Sequence, residues 1–422
     1  MLSRPLQLTT QPLQVLPHSS PRLGPECDAP SVRPGADLEW RMARQVARRT
    51  GGPRGVERVT LAGAYGRILA KPVRALVAAP GFDTAAMDGY AVCGDGPWRI
   101  VGRVLAGGER WAGALAPGTG VEIATGAMVP PGARAVVPYE HCHAEQSHVE
   151  GTVVVGVLGS RDHIRRVGED ARPGEELVPA GRRINATVIG VAAQSGADLL
   201  HVYRQPRVCI LVTGDEIVSH GVPGPGQVRD ALGPLVNAIV LRGGGAVIGQ
   251  RRLTDEGSTL HAALRDANSA DIVVVTGSSS AGVADHLRDA LDRLGARWHV
   301  DGVLCRPGHP QALAELGDGR WVVGLPGNPF AGLVAALTLL DPLLGALTGR
   351  GPAAQLELPV LGPAGVYPAG VRLVPVSLHG GHARVIEGSR PASLRAAALA
   401  DAVAVIEPSW RDGDRAELLP LP

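Results

Sequence analysis

Arg207-Val208-Cys209-Ile210-Leu211-Val212-Thr213-Gly214-Asp215-Glu216 decides the fold. Its apolar run has no polar alternation, which suits a strand buried on both faces. Glycine then breaks the run, and two carboxylates follow in the turn. The residues beyond keep a strand–helix rhythm. Residues 232–242 predict a helix, 246–253 a strand, 258–268 a helix with Ser258 as N-cap, and 271–276 a second buried strand. In residues 283–295, Val283, Leu287, Ala290, Leu291 and Leu294 share one helical face. Residues 320–325 read as a strand and 329–347 as a helix. This alternation predicts an α/β domain over residues 206–350, a central parallel sheet with helices on both faces.

In such a sheet, ligands bind beyond the carboxyl ends of the strands. Three strands end in turn-forming motifs: Thr213-Gly214-Asp215-Glu216, the loop Gly277-Ser278-Ser279-Ser280-Ala281-Gly282, and Pro326-Gly327-Asn328-Pro329. The serine and glycine loop precedes a helix, so its backbone N–H groups suit an oxyanion. A plain Ser/Gly cap is the alternative, and Asp285 in the first helical turn favours an anion site with a metal. Asp215-Glu216 and Asp230 offer the hard oxygen ligands that Mg²⁺ prefers. For Asp230 the plain reading is a helix N-terminal acid. Asn328 and Pro329 suit an N-cap and a first helical position.

Outward from this domain the pattern turns to short strands. Residues 98–105, 120–123, 135–138 and 152–157 are β-like runs broken by Gly and Pro, so residues 75–164 predict an inserted β domain. Residues 37–74 and 165–205 predict an elongated linker domain in two segments, and residues 351–422 a C-terminal β domain. Residues 1–36 hold seven prolines and no apolar periodicity, which predicts a disordered extension.

Composition narrows the function. Net charge is +1, which argues against a nucleic-acid footprint. Lys71 is the single lysine among 41 basic residues, so arginine is the expected functional cation. The five cysteines are scattered without a C-x-x-C pair, as in a reducing, cytoplasmic setting. The apolar run 330–340 stops at Asp341-Pro342 and reads as a buried helix, not a membrane span. His141-Cys142-His143 with His148 lacks the second half of a zinc pattern. The arginines at 161, 165, 166, 172, 182 and 183 alternate with acids and read as a solvated surface, with an anion contact as the sharper option.

Taken in order, further motifs sharpen the reading: Met87-Asp88-Gly89-Tyr90-Ala91, Ile123-Ala124-Thr125-Gly126-Ala127, Arg166-Val167-Gly168-Glu169-Asp170 and Gly226-Gln227-Val228-Arg229-Asp230. With the three strand-end motifs they resemble the molybdopterin molybdenumtransferases, the family that includes the gephyrin C-terminal domain. The order holds from about residue 55 to 350. The resemblance implies an α/β domain like that of molybdopterin adenylyltransferases, flanked by small β domains, in a homodimer whose site is shared between subunits. It implies insertion of molybdenum from molybdate into adenylylated molybdopterin, with Mg²⁺ and release of AMP. A molybdopterin adenylyltransferase would be the partner enzyme. Neither membrane nor nucleic acid enters. By matching position, Asp88, Glu216, Asp285 and Arg306 would be catalytic. Thr125, Asp170, Thr213, Gly277, Ser278, Ser280, Pro326 and Pro329 would bind substrate, and Glu216, Asp230 and Asp285 the metal.

The chain departs from the family at specific points. Where members carry Lys-Pro-Gly-Lys-Pro, this chain has Arg306-Pro307-Gly308-His309-Pro310, and Gly302 replaces a further lysine. Leu232 stands where an asparagine is usual. These changes admit a second reading, a catalytically impaired paralogue that binds molybdopterin. An adenylyltransferase proper is disfavoured, because its fold lacks the flanking β domains.

Overall fold

The structure, a computed structural model, describes residues 37–147, 151–277, 286–352 and 354–421. At its centre is a six-stranded sheet in the order Ala246–Leu253, Arg207–Thr213, Ile272–Thr276, Trp321–Leu325, Ala312–Glu315, Arg297–Asp301. The first four strands are parallel. Ala312–Glu315 runs antiparallel to both its neighbours, Trp321–Leu325 and Arg297–Asp301, and makes an edge that residue patterning did not reveal. A tight turn at Gly317 and Asp318 returns the chain directly into Trp321–Leu325, and so short a connection permits only an antiparallel pair.

The strand Arg207–Thr213 serves two cores at once. Val208, Ile210 and Val212 face one helical layer, with Ile239, Leu340 and Leu344. Cys209 and Leu211 face the other, with Leu260, Leu264 and Leu291. Period-two alternation of side chains across a doubly covered strand produces this division. The helices Leu232–Arg242 and Gly257–Asp266 follow their strands as the rhythm predicts. Helix Gly257–Asp266 begins after Glu256, so Ser258 lies inside its first turn and is not the N-cap. Residues 329–348 form one continuous helical run with a π turn at Ala336–Leu340. This run is long and apolar enough to cross a bilayer, but 89% of its most apolar window is buried inside the protein.

The π turn has a local cause. The indole N–H of Trp40 donates to the Thr338 hydroxyl at 3.1 Å, and that hydroxyl donates back to the Val334 carbonyl. The guanidinium of Arg44 reaches the Leu337 carbonyl. Side chains from the helix Trp40–Arg49 thus insert at the carbonyl ladder. Residues 37–49, which the sequence assigns to the two-segment linker, also pack against the helical layer of the α/β domain. Leu38–Glu39 also adds to Val303–Arg306 as an outer strand of the C-terminal sheet.

The rest of the linker pairs its two segments. Val56–Thr60 lies antiparallel to Leu199–Tyr203, and Val73–Arg74 to Glu176–Val178. Between them a six-stranded sheet runs Ala135–Pro138, Gly89–Val92, Thr119–Ile123, Trp98–Val104, Gly151–Gly156, Cys142–Ser147. In the C-terminal sheet, Val371–His379 pairs with Ala402–Ile406, which closes five strands into a ring.

Candidate functional site

Parallel register aligns three strand ends. Val212 lies opposite Thr276, and Thr276 opposite Leu325. The Thr213 hydroxyl donates to the Thr276 carbonyl at 2.8 Å, and the Gly277 N–H donates to the Leu325 carbonyl at 3.1 Å. Gly277 has φ +93°, and a Cβ there would lie 2.7 Å from the Thr213 carbonyl oxygen. A Cβ on Gly327 would in turn lie 3.4 Å from the Gly277 Cα. Backbone therefore packs on backbone, and the strand ends form a glycine floor. Ser278, Ser280 and Asp285 lie outside the described residues.

The rim separates the two adjacent acids. Asp215 locks its loop: its N–H donates to the Asp255 carboxylate at 3.3 Å, and the Asp255 N–H donates back at 3.4 Å. Glu216 is exposed, and no ion pair to it occurs among the described residues. Its carboxylate folds back over Gly214, where a Cβ would meet it at 2.9 Å. The Arg252 guanidinium donates to the Gly214 carbonyl at 3.3 Å and the Asp215 carbonyl at 2.8 Å. Sequence reading missed Arg252, because an arginine in a strand with exposed positions reads as solvated. Only the register, which sets it opposite Val212, brings it to the strand ends.

Asp230 is 8% exposed and works locally. One oxygen accepts the Gly233 N–H at 2.8 Å, and the other accepts the Gln250 amide at 3.3 Å. Leu232 is buried against helix residue Gly332, where a Cβ would meet it at 2.5 Å. Pro329 opens its helix after Asn328, whose side chain makes no capping bond. Among the described residues, no three His, Cys, Asp or Glu side chains gather as a metal group, and His148 lies outside those residues.

A second group sits in the inserted sheet. The Asp88 carboxylate accepts the Thr125 N–H at 2.8 Å, fixing the turn that carries Thr125. Gly89 is required beside it, since a Cβ would lie 2.1 Å from the Val137 carbonyl oxygen. Asp83 accepts the Val167 N–H at 2.8 Å and the Arg166 guanidinium at 3.0 Å. These donors hold its carboxyl below the ordinary value, the Val167 N–H most of all. Arg165 pairs with Asp170.

A third group surrounds the cis Arg306–Pro307 bond. The Arg306 guanidinium stacks over the Tyr367 ring at 4.6 Å. His309 Nε2 lies 2.9 Å from Asp37 Oδ1. Gly302 has φ +95°, and a Cβ there would lie 2.2 Å from the same Asp37 oxygen. One carboxylate from the N-terminal segment thus meets both positions, occupying the space beside Gly302 and pairing with His309.

Known proteins match this arrangement. Residues 38–196 match a family model described as the MoeA N-terminal region (domain I and II), and residues 209–346 one described as a probable molybdopterin binding domain. A molybdopterin molybdenumtransferase of Nostoc sp. is 32% identical over 347 residues, covering 79% of this chain and 78% of that protein. The chain belongs to the molybdopterin molybdenumtransferase family. The Haemophilus influenzae molybdopterin molybdenumtransferase is likewise 32% identical, over 309 residues covering 71% of this chain and 74% of that protein. A solved molybdopterin biosynthesis MoeA protein from Pyrococcus horikoshii superposes with a TM-score of 0.74 at 26% identity, across 91% of this chain and 99% of that one. The multidomain MoeA architecture and the link to molybdenum cofactor biosynthesis follow from this membership.

Proposed function

We propose that this molybdenumtransferase homologue moves molybdenum from molybdate to adenylylated molybdopterin and releases AMP, as a Mg²⁺-dependent homodimer in the cytoplasm. The observation that carries the reading is the glycine floor at three adjacent strand ends, with the Glu216 carboxylate on its rim and no ion pair to it among the described residues. Backbone packed this closely lets an extended ligand lie against the sheet end. Mg²⁺ often takes one or two carboxylates and completes its shell with water and substrate phosphates. Glu216 fits that role, whereas Asp230 serves its helix through Gly233 and Gln250. The ion would neutralise charge developing on the phosphoanhydride. Arg252 and the stacked Arg306 supply fixed positive charge for oxyanions. Asp88, Thr125 and Asp170 would reach the cleft from the partner subunit. A molybdopterin adenylyltransferase would supply the adenylylated substrate.

The test incubates purified protein with adenylylated molybdopterin, Mg²⁺ and molybdate. Molybdate-dependent AMP release is expected, falling by roughly two orders of magnitude or more in Glu216→Ala. Tight pterin binding with no AMP at any molybdate concentration would refute transfer. That outcome would favour the impaired, pterin-binding reading, which the Asp37 contacts with Gly302 and His309 support.

A further inference from the structure

Arg44, Arg48, Arg183, Arg242 and Arg350 line a single cavity of about 710 Å³. That volume lies within the usual range for small-molecule sites. Four separate segments carry these arginines: the helix Trp40–Arg49, the loop before Asn185, the end of the helix Leu232–Arg242, and the turn after Asp341–Thr348, and the strand Arg415–Pro420 completes the lining. Arg242 closes its helix at the end away from Asp230, about 15 Å along the axis by helical rise. None of the strand-end residues borders this cavity.

The charges do not balance. Two carboxylates, Asp341 and Glu417, reach the lining. Asp341 is held by Arg350 at 2.8 Å, and Glu417 is paired with Arg41. Arg44 and Arg48 donate to main-chain carbonyls, those of Leu337 and Arg350. Among the described residues no ion pair reaches Arg44, Arg48, Arg183 or Arg242. The Arg242 Nε is buried without a hydrogen-bond partner. Burial pulls Arg44, Arg48 and Arg242 below the ordinary guanidinium value. Repulsion from Arg350 adds to this at Arg48, where Asp341 opposes it, while at Arg242 attraction from Asp341 exceeds the separate repulsions from Arg350 and Arg183. Desolvated like charges oppose folding unless something neutralises them. Guanidinium forks match phosphate oxygens, and Leu337, Pro342 and Leu419 give the cavity an apolar wall.

We propose that this cavity binds an organic phosphate of nucleotide size carrying at least two phosphoryl groups, at a site separate from the strand-end cleft. Several guanidiniums without a carboxylate ion pair among the described residues call for more than one anionic group, and the apolar wall takes the organic part. The inference is independent of the proposed transfer reaction.

Calorimetric titration of the full chain with ADP and with pyrophosphate, without Mg²⁺ and near 150 mM salt, tests it. Wild type is expected to bind ADP, and the Arg48→Ala/Arg183→Ala double variant to bind it at least about tenfold more weakly. Arg306→Ala is expected to bind ADP as wild type does. Pyrophosphate binding more weakly than ADP, with the same loss in the double variant, supports the role of the apolar wall. No ADP binding by wild type at millimolar concentration overturns the proposal. So does unchanged binding by the double variant, or loss of binding in Arg306→Ala, which would put the ligand at the other cleft. A thermal melt of each ligand-free variant identifies any that fails to fold. For such a variant, Arg183→Gln replaces the double change, with weakened ADP binding expected and unchanged binding overturning the assignment.

Discussion

A methyl group at Gly277 would meet the Thr213 carbonyl oxygen at 2.7 Å, on a backbone with φ +93°. Neither the clash nor the strain can be relieved by moving a side chain. Gly277→Ala should therefore lower stability by about 1–3 kcal/mol, read by chemical denaturation, and reduce AMP release further than the lost stability explains. Gly302 differs, because the atom it would meet belongs to a side chain. Gly302→Lys should destabilise the protein, and Asp37→Ala should relieve part of that cost. A double-mutant cycle by thermal melting would show coupling between the two positions, whereas strict additivity would mean that Asp37 does not constrain residue 302. At this scale the sequence was only partly legible. Asp215 and Glu216 look alike as neighbouring loop acids. Their difference comes from Asp255, forty residues on, which locks Asp215 and leaves Glu216 open.

Elements were legible where periodicity was strong. Arg207–Thr213 and Leu232–Arg242 carry uninterrupted apolar patterns, and the structure has them at those bounds. Arg297–Asp301 and Ala312–Glu315 are short and mixed in polarity, so nothing local announces an antiparallel edge. Gly89–Val92 hid behind an Asp-Gly turn signal, and only its pairing with Thr119–Ile123 and Ala135–Pro138 makes it a strand. Asp83 shows how an element boundary can be held by charge. Its carboxylate ties the start of the inserted sheet to Arg166 and Val167 on the returning segment. Its folded pKa is depressed below the ordinary 3.8. The stabilisation is thus present above that unfolded value and is lost as pH falls through the lower folded one. Wild type should melt at a higher temperature than Asp83→Asn at neutral pH. The gap should close on acidification below about pH 4, and a gap constant down to pH 2 would contradict the assignment.

On the scale of the whole molecule, the described site residues fall into separately anchored groups. Asp88 and Thr125 are tied to each other within the inserted sheet, while Glu216 and Gly277 belong to the strand ends of the α/β sheet. A homodimer with a shared cleft would join one group from each subunit, and mixing variants tests that directly. Asp88→Ala and Glu216→Ala should each be inactive alone. Unfolded together and refolded at equal amounts, half of the dimers are mixed, and each mixed dimer holds one cleft with both groups intact. Molybdate-dependent AMP release should then recover to about a quarter of wild type. If both groups served the same cleft within one subunit, every cleft in a mixed dimer would lack one of them, and no activity would return. Light scattering on the mixture separates failure to dimerise from failure to share, since only a dimer that stays inactive argues against the shared cleft.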